Sequence, residues 1–279
     1  MKLTENISVL SVGAHRKDPI IHSGGTLAKH VARGDKVSVL SVTHGVRTHH
    51  LRARDRMQKE SDYNPSIEEL IQEIEDELVS ACGEIGVNDV RCLRHDDEIL
   101  SINPEIVRDI ADVICEVKPD IVITHWPEDG HLAHGYTGQM TSMAVVAADS
   151  LRSDMSNKPH RINSLYYHVP ILHTTMIDTI SPKPITTYVD ITEVIQMKFK
   201  ALNHFAHQFY GGEDPVNRAE IERLDGLYGL AAKVPYVEPY VLHKPAVFEH
   251  LPMSKYEMKI SNSSQEEEFG YSGQMLLDI

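Results

Sequence analysis

Ile7-Ser8-Val9-Leu10-Ser11-Val12-Gly13-Ala14-His15-Arg16-Lys17-Asp18, followed by Gly24-Gly25-Thr26-Leu27-Ala28, is the stretch on which the fold turns. Ile7–Val12 is a short apolar run closed by glycine, the pattern of a strand buried on both faces of a parallel sheet. The glycine pair leads into a helix in which Leu27, Ala28 and Val31 share a face and Gly34 marks the stop. Between strand and helix sits a polar turn with an imidazole, two cations and a carboxylate.

The alternation continues outward. Lys36–Val42 reads as a second strand, and residues 43–66 as a long polar loop. Ser66 and Glu69 make a capping box for a helix over Ile67–Ile85. Asp89–Leu93 reads as a strand, Pro104–Val117 as a helix, Asp120–Thr124 as a strand and His134–Leu151 as a helix. This order predicts an α/β fold: a doubly wound, Rossmann-like, mostly parallel sheet with helices on both faces and right-handed crossovers. Further on, strands are expected at Ser164–Val169 and Thr186–Val189, and helices at Thr192–Phe209 and Pro215–Lys233. Residues 1–255 form one domain with no linker or repeat. Residues 256–279, with five acidic groups and one lysine, read as a mobile acidic tail.

Composition narrows the function classes. With 279 residues, 27 Lys+Arg against 41 Asp+Glu and a formal net charge of −14, the chain is a poor ligand for nucleic acid or an anionic membrane. No apolar run approaches the ~20 residues that a membrane helix needs. The opening residues have neither a basic leader nor a small-residue cleavage site, so no signal peptide is expected. Cys82, Cys92 and Cys115 form no CxxC, which points to a reducing cytoplasm. The 17 histidines invite metal or acid–base chemistry.

In an open α/β sheet, ligands bind beyond the carboxyl ends of the strands, where the strand order reverses. For the order 3-2-1-4 that crevice lies between strands 1 and 4. His15 and Asp18 follow strand 1. His125, Glu128, Asp129, His131 and His134 follow strand 4. Two histidines and one aspartate, His15, Asp18 and His134, with positions left open for water, suit a catalytic Zn2+ or another divalent metal. The glycine pair could cradle an anion at a helix start or serve close packing; without GxGxxG or GK[ST], packing is favoured. The loop at 43–66 carries Arg47, Arg52, Arg54, Arg56 and Lys59. Arg47, nearest the strand end, is the best candidate to clamp a substrate carboxylate or phosphate.

These residues resemble the PIG-L/LmbE superfamily of zinc-dependent N-deacetylases. Its first motif, A-H-P-D-D followed by G-G-T-L-A, aligns with Ala14–Asp18 and Gly24–Ala28. Its second, P-E-D-x-H-P-D-H, aligns with Pro127–His134, where Leu132 and Ala133 depart. Softer matches are Asp97, Ala201-Leu202 with His204 and Gln208, and Val237–Tyr240, so that the likeness covers about residues 6–245. The resemblance implies that His15, Asp18 and His134 hold the metal, and that His131 stabilises the oxyanion or protonates the leaving amine. It also exposes two lost carboxylates: Lys17 occupies the position of the general base, and Ala133 that of the aspartate which tunes the catalytic histidine. Arg16 replaces a proline and His22 a glycine. His22, Asp97, Glu128 and Asp129 are candidate replacement bases. Asp129 joins His131 and Lys17 in the catalytic set, and His22 joins Arg47 on the substrate side.

Three functions follow in order: a metal-dependent hydrolase of an N-acyl amide such as an N-acetyl sugar; a hydratase of an unsaturated carboxylate, resembling 4-oxalomesaconate hydratase; and a binding protein that keeps the metal without the chemistry. The expected partner is a small anionic or sugar-like molecule, and a homo-oligomer is compatible with the resemblance.

Overall fold

A computed structural model describes residues 6–99, 101–151, 157–170, 185–208 and 216–257. Strand β1 (Ser8–Gly13) lies inside the sheet, with β2 (Lys36–Thr43) and β3 (Asp89–His95) on one side and β4 (Ile121–Thr124) and β5 (Ser164–His168) on the other. These five strands run parallel. A strand not expected from the sequence, β7 (Val237–Leu242), pairs antiparallel with β5 and with the edge strand β6 (Thr187–Asp190). The order is β3-β2-β1-β4-β5-β7-β6, so the reversal falls between β1 and β4 as expected.

All six residues of β1 are buried because each face of the strand meets its own core. Val9, with Val37 and Val39, packs on one face beneath the helices α1 (Asp18–Arg33), α4 (Ile67–Glu84) and α7 (Ile195–Leu202). Leu10 and Val12, with Leu40 and Val42, face α5 (Pro104–Val117) and α6 (Leu132–Ala148). Alternation along a strand sends successive side chains to opposite faces, and the continuous apolar run therefore feeds both cores.

Helix α1 starts at Asp18, earlier than the glycine pair suggested, with Pro19 in its first turn and Gly34 ending it at φ 91°. Gly24-Gly25 thus lies within the helix. A Cβ on Gly25 would sit 2.6 Å from Ile191 Cγ2, which confirms the packing role. The anion cradle is real too, but the protein fills it itself. The amides of Gly25 and Thr26 donate to the two oxygens of Glu238 on β7, at 2.9 and 2.7 Å. Glu238 also meets Lys198 Nζ at 2.9 Å, and Lys198 reaches Asp225 of α8 (Val216–Ala232) at 2.7 Å. Burial, with Glu238 nearby and against the pull of Lys198, pushes the Asp225 carboxyl up to about 7.

The segment 43–66 is not a plain loop. It forms α2 (Val46–His49) and α3 (Leu51–Lys59), the latter capped by His50, which accepts from the Ala53 amide at 3.1 Å. Only Ala53 of α3 is buried, so no apolar period advertised it. The capping box at Ser66 and Glu69 is formed, and α6 begins two residues before the expected start. The helix expected over 192–209 is split into a 3-10 turn (Thr192–Val194), α7 and a second 3-10 turn (Ala206–Gln208). Of the expected acidic tail, residues 258–279 lie outside the described residues; Tyr256 donates to Asp190 Oδ2 at 2.6 Å.

The packing at the glycine pair makes Gly25→Ala a test of the fold. Overpacking against Ile191 is expected to lower stability by about 1–3 kcal/mol in urea unfolding, with the slope of the transition unchanged.

Candidate metal centre

The turn after β1 and the start of α6 meet where the strand order reverses. Asp18 Oδ2 is the hub. It accepts the His15 amide at 2.7 Å and lies 3.2 Å from His15 Nδ1, 3.1 Å from His125 Nε2 and 3.5 Å from His134 Nε2. His15, Asp18 and His134 each offer one ligand atom, all within 4.8 Å of one another. Both ring nitrogens of His15 and Nε2 of His134 are buried without a hydrogen-bond partner. A buried carboxylate facing lone imidazole nitrogens is costly unless a cation fills the gap, so these residues fit a divalent metal.

The electrostatics agree. Burial pushes Asp18 up, but the nearby His134 and His15 together with the hydrogen bond from His125 outweigh it, and the carboxyl is held well below its ordinary range. Burial drives His134 down to about 4, helped by His125 and opposed by Asp18 and Asp129. His15 is lowered by burial against Asp18. Neutral imidazole is the form that carries a metal-binding lone pair.

His131 is the N-cap of α6, and its ring centroid lies 4.3 Å from that of His134 and 5.5 Å from that of His15. Its Nδ1 is buried without a partner, as expected where Ala133 has replaced a carboxylate. Asp129 Oδ1 accepts the His131 amide at 2.8 Å, and Oδ2 lies 3.5 Å from His134 Nδ1. It therefore orients the two histidines. Burial opposes its charge, but His134 holds it down to about 2. Lys17 is half-buried beside Asp18, and burial lowers its ammonium to about 8 against the pull of Asp18.

The remaining candidates lie elsewhere. Arg47 is exposed and paired with Asp96 at 2.7 Å, while Arg56 and Lys59 pair along α3 with Glu60 and Asp55. These cations, expected to supply an anion clamp, meet carboxylates of the protein itself. Asp97 anchors α2, accepting from the Arg47 and Thr48 amides and from Thr48 Oγ1. His204 meets Glu84 at 3.2 Å, and the side chain of Gln208 lies outside the described residues. His22 has its ring centroid 6.3 Å from that of His134 and groups with His125 and His168.

Three histidines at the crevice received no role from the sequence. His125 and His168 stand at the carboxyl ends of β4 and β5, a position that could have flagged them. Close approach of Gly138 to the His125 carbonyl seats α6 there. His49 reaches a ring centroid distance of 4.0 Å from His15, and only the fold of α2 brings it there. Arg16, buried, donates to Ser41 Oγ and Glu75 Oε1, both at 2.8 Å, and to the Thr43 carbonyl.

Asp18→Ala and His134→Ala are each expected to remove one equivalent of tightly bound divalent metal, read by elemental analysis after gel filtration. Full retention in both variants would move the centre elsewhere. Without metal, His22 and His134 have folded pKa values of about 3 and about 4, below the unfolded 6.5. Their contribution is present above pH 6.5 and is lost as pH falls toward 3–4. The urea midpoint of metal-free protein should therefore drop between pH 7 and pH 4.5; a flat profile would contradict the burial of these rings.

Residues 10–145 match the family described as PIG-L, GlcNAc-PI de-N-acetylase. The chain is 25% identical over 198 residues to a 1D-myo-inositol 2-acetamido-2-deoxy-alpha-D-glucopyranoside deacetylase of Catenulispora acidiphila, covering 59% of this chain and 61% of that one. It is 24% identical over 267 residues to the enzyme of that name from Actinosynnema mirum, covering 81% and 89%. Its fold is that of the 4-carboxy-2-hydroxymuconate hydratase of Pseudomonas putida KT2440, with TM-score 0.74, 20% identity and coverage of 88% and 100%. The paired motifs that meet at the switch crevice, Ala14–Asp18 and Pro127–His134, both lie within the stretch that matches the PIG-L family.

Proposed function

We propose that the protein is a metal-dependent hydrolase that removes the acyl group from an N-acylated amine, with N-acetylated sugars as the first substrate class. One observation carries this reading: His15, Asp18 and His134 converge beside His131 within the stretch that matches the PIG-L family. Two nitrogens and one oxygen with open positions favour zinc. When bound there, such an ion would polarise the acyl oxygen and acidify water.

The other tasks fall to the chain. The His131 ring, its pKa lowered by burial, donates a hydrogen bond to the developing oxyanion, and the proton taken from the attacking water by the base is passed on to the departing amine. Asp129 holds His131 and His134 in register through the contacts above. Lys17 stands where the resemblance places a carboxylate base. Its ammonium, already lowered to about 8, brings proton acceptance from the attacking water within reach of neutral pH. The free cysteines fit a reducing cytoplasm, and among the described residues no helix is long and apolar enough to cross a membrane.

Lys17 also favours a second reading. An ammonium beside the centre suits an anionic substrate, as in hydration of an unsaturated carboxylate. A panel of N-acetylated amino sugars and unsaturated keto-dicarboxylates, with and without chelator, separates the two. Chelator-sensitive release of acetate is expected; turnover of the dicarboxylates alone would establish the hydratase, and silence on both a metal-retaining binding protein. Lys17→Asp is expected to raise amide hydrolysis by about tenfold or more. Ala133→Asp should add to it by giving His131 Nδ1 an acceptor. Loss of a native activity in Lys17→Asp would show that the lysine itself is required.

A further inference from the structure

Among the described residues, four other groupings of metal-capable side chains surround the centre, and one of them, His125, Asp129 and His134, draws His134 from the first centre and has Asp129 engaged by the His131 amide. In His44, Asp96 and Asp97, the two carboxylates are engaged by Arg47 and by the amides of α2. In His50, Glu73 and His207, the nitrogens of His50 are both engaged: Nδ1 accepts the Ala53 amide, and Nε2 lies 3.1 Å from Glu73. His207 pairs with Glu77 through Nδ1 and faces Glu73 through Nε2, at 3.4 Å. The remaining grouping differs because it shares no ligand with the first centre and Nδ1 of both His125 and His168 is buried without a partner.

We propose that His22, His125 and His168 form a second divalent-metal site abutting the first. One ring nitrogen from each lies within 4.8 Å of the others. The rings of His22 and His168 stack at 4.7 Å, and that of His125 stands 5.6 and 5.3 Å from them. Tetrahedral bonds of ~2.0 Å put ligand nitrogens roughly 3.3 Å apart, so ring rotation closes the set. His125 and His168 are 0% and 1% exposed, and Nδ1 of each is buried without a partner.

Both rings share one anchoring pattern. His168 Nε2 meets Ser23 Oγ at 2.9 Å, and His125 Nε2 meets Asp18 Oδ2 at 3.1 Å. A metal-ligating histidine characteristically gives its other N–H to an oxygen in this way, which leaves the remaining nitrogen as a lone pair. The Ala14 amide competes for the same atom, donating to His125 Nε2 at 3.0 Å. A bond to a carboxylate is about twice as strong as a neutral one, so the proton belongs on Nε2 and the lone pair on Nδ1.

Three imidazoles and no carboxylate select zinc, cobalt, nickel or copper over magnesium or calcium. Three protein ligands also leave a coordination position open. His22 lines a cleft with Val169, Pro170, Leu224 and Tyr228, which provides a route of exchange. The Asp18–His125 contact ties the two sites together. The site stands whether the reaction is hydrolysis, hydration or neither, because a metal count reads it directly.

Metal-free protein is reloaded with zinc, passed through gel filtration and analysed for metal per chain. Two equivalents are expected for the unmodified chain and one for each of His22→Gln, His168→Gln and Asp18→Ala. None is expected for Asp18→Ala combined with His168→Gln. A single equivalent in the unmodified chain, or a second that survives both His22→Gln and His168→Gln, overturns the site. Should those variants misfold, a cobalt titration of the unmodified chain decides. Two breaks in visible absorbance are expected, the second with an all-nitrogen shell by X-ray absorption; one break refutes the proposal.

Discussion

A single buried carboxylate organises this protein. Asp18 is 1% exposed, at the junction of β1 and α1, and imidazoles from the turn after β1, the end of β4 and the start of α6 converge on one of its oxygens. A charge in that position is tolerable only with several donors and a cation. The turn after β1, the end of β4 and the start of α6 must therefore arrive together. The strand order supplies this, because β1 and β4 are neighbours whose connections leave in opposite directions.

The departures from the family motif have separate physical consequences. Arg16, where the family carries proline, is buried and pinned to Ser41, the Thr43 carbonyl and Glu75, while Glu75 also holds Arg94. The turn is thereby stiffened by hydrogen bonds instead of a ring. Ala133 leaves His131 Nδ1 unpartnered. Lys17 changes the charge beside the metal ligands. The first substitution conserves the scaffold, and the other two alter the chemistry it presents.

Behind the crevice, a second buried network holds the scaffold. Glu238 reaches the amides of Gly25 and Thr26, and Lys198 links it to Asp225. Through these contacts α1, which carries Asp18 and His22, is tied to the antiparallel edge of the sheet. Gly25 matters twice over: it admits Ile191 at close range and gives its amide to the carboxylate.

The parallel half of the sheet and the three residues proposed to ligate the first centre were legible from residues alone, because both are local. A continuous apolar run means a strand buried on both faces, and polar residues just past it lie at the crevice. Strand β7, the helices α2 and α3, and the break in 192–209 were not legible. They depend on an edge pairing, on capping and ion pairs at an exposed face, and on packing against distant elements. The same division runs through the histidines. His15, His131 and His134 were recognisable by position in a motif, whereas His22, His125 and His168 come from three segments joined only by adjacency of β1, β4 and β5. Arg47, singled out for its nearness to a strand end, is seen paired with Asp96 only in the fold. Sequence determined which chemistry the chain carries, since motif spacing is a property of neighbours; tertiary structure decided which side chains share it, since that depends on strand order and on which charges find closer partners.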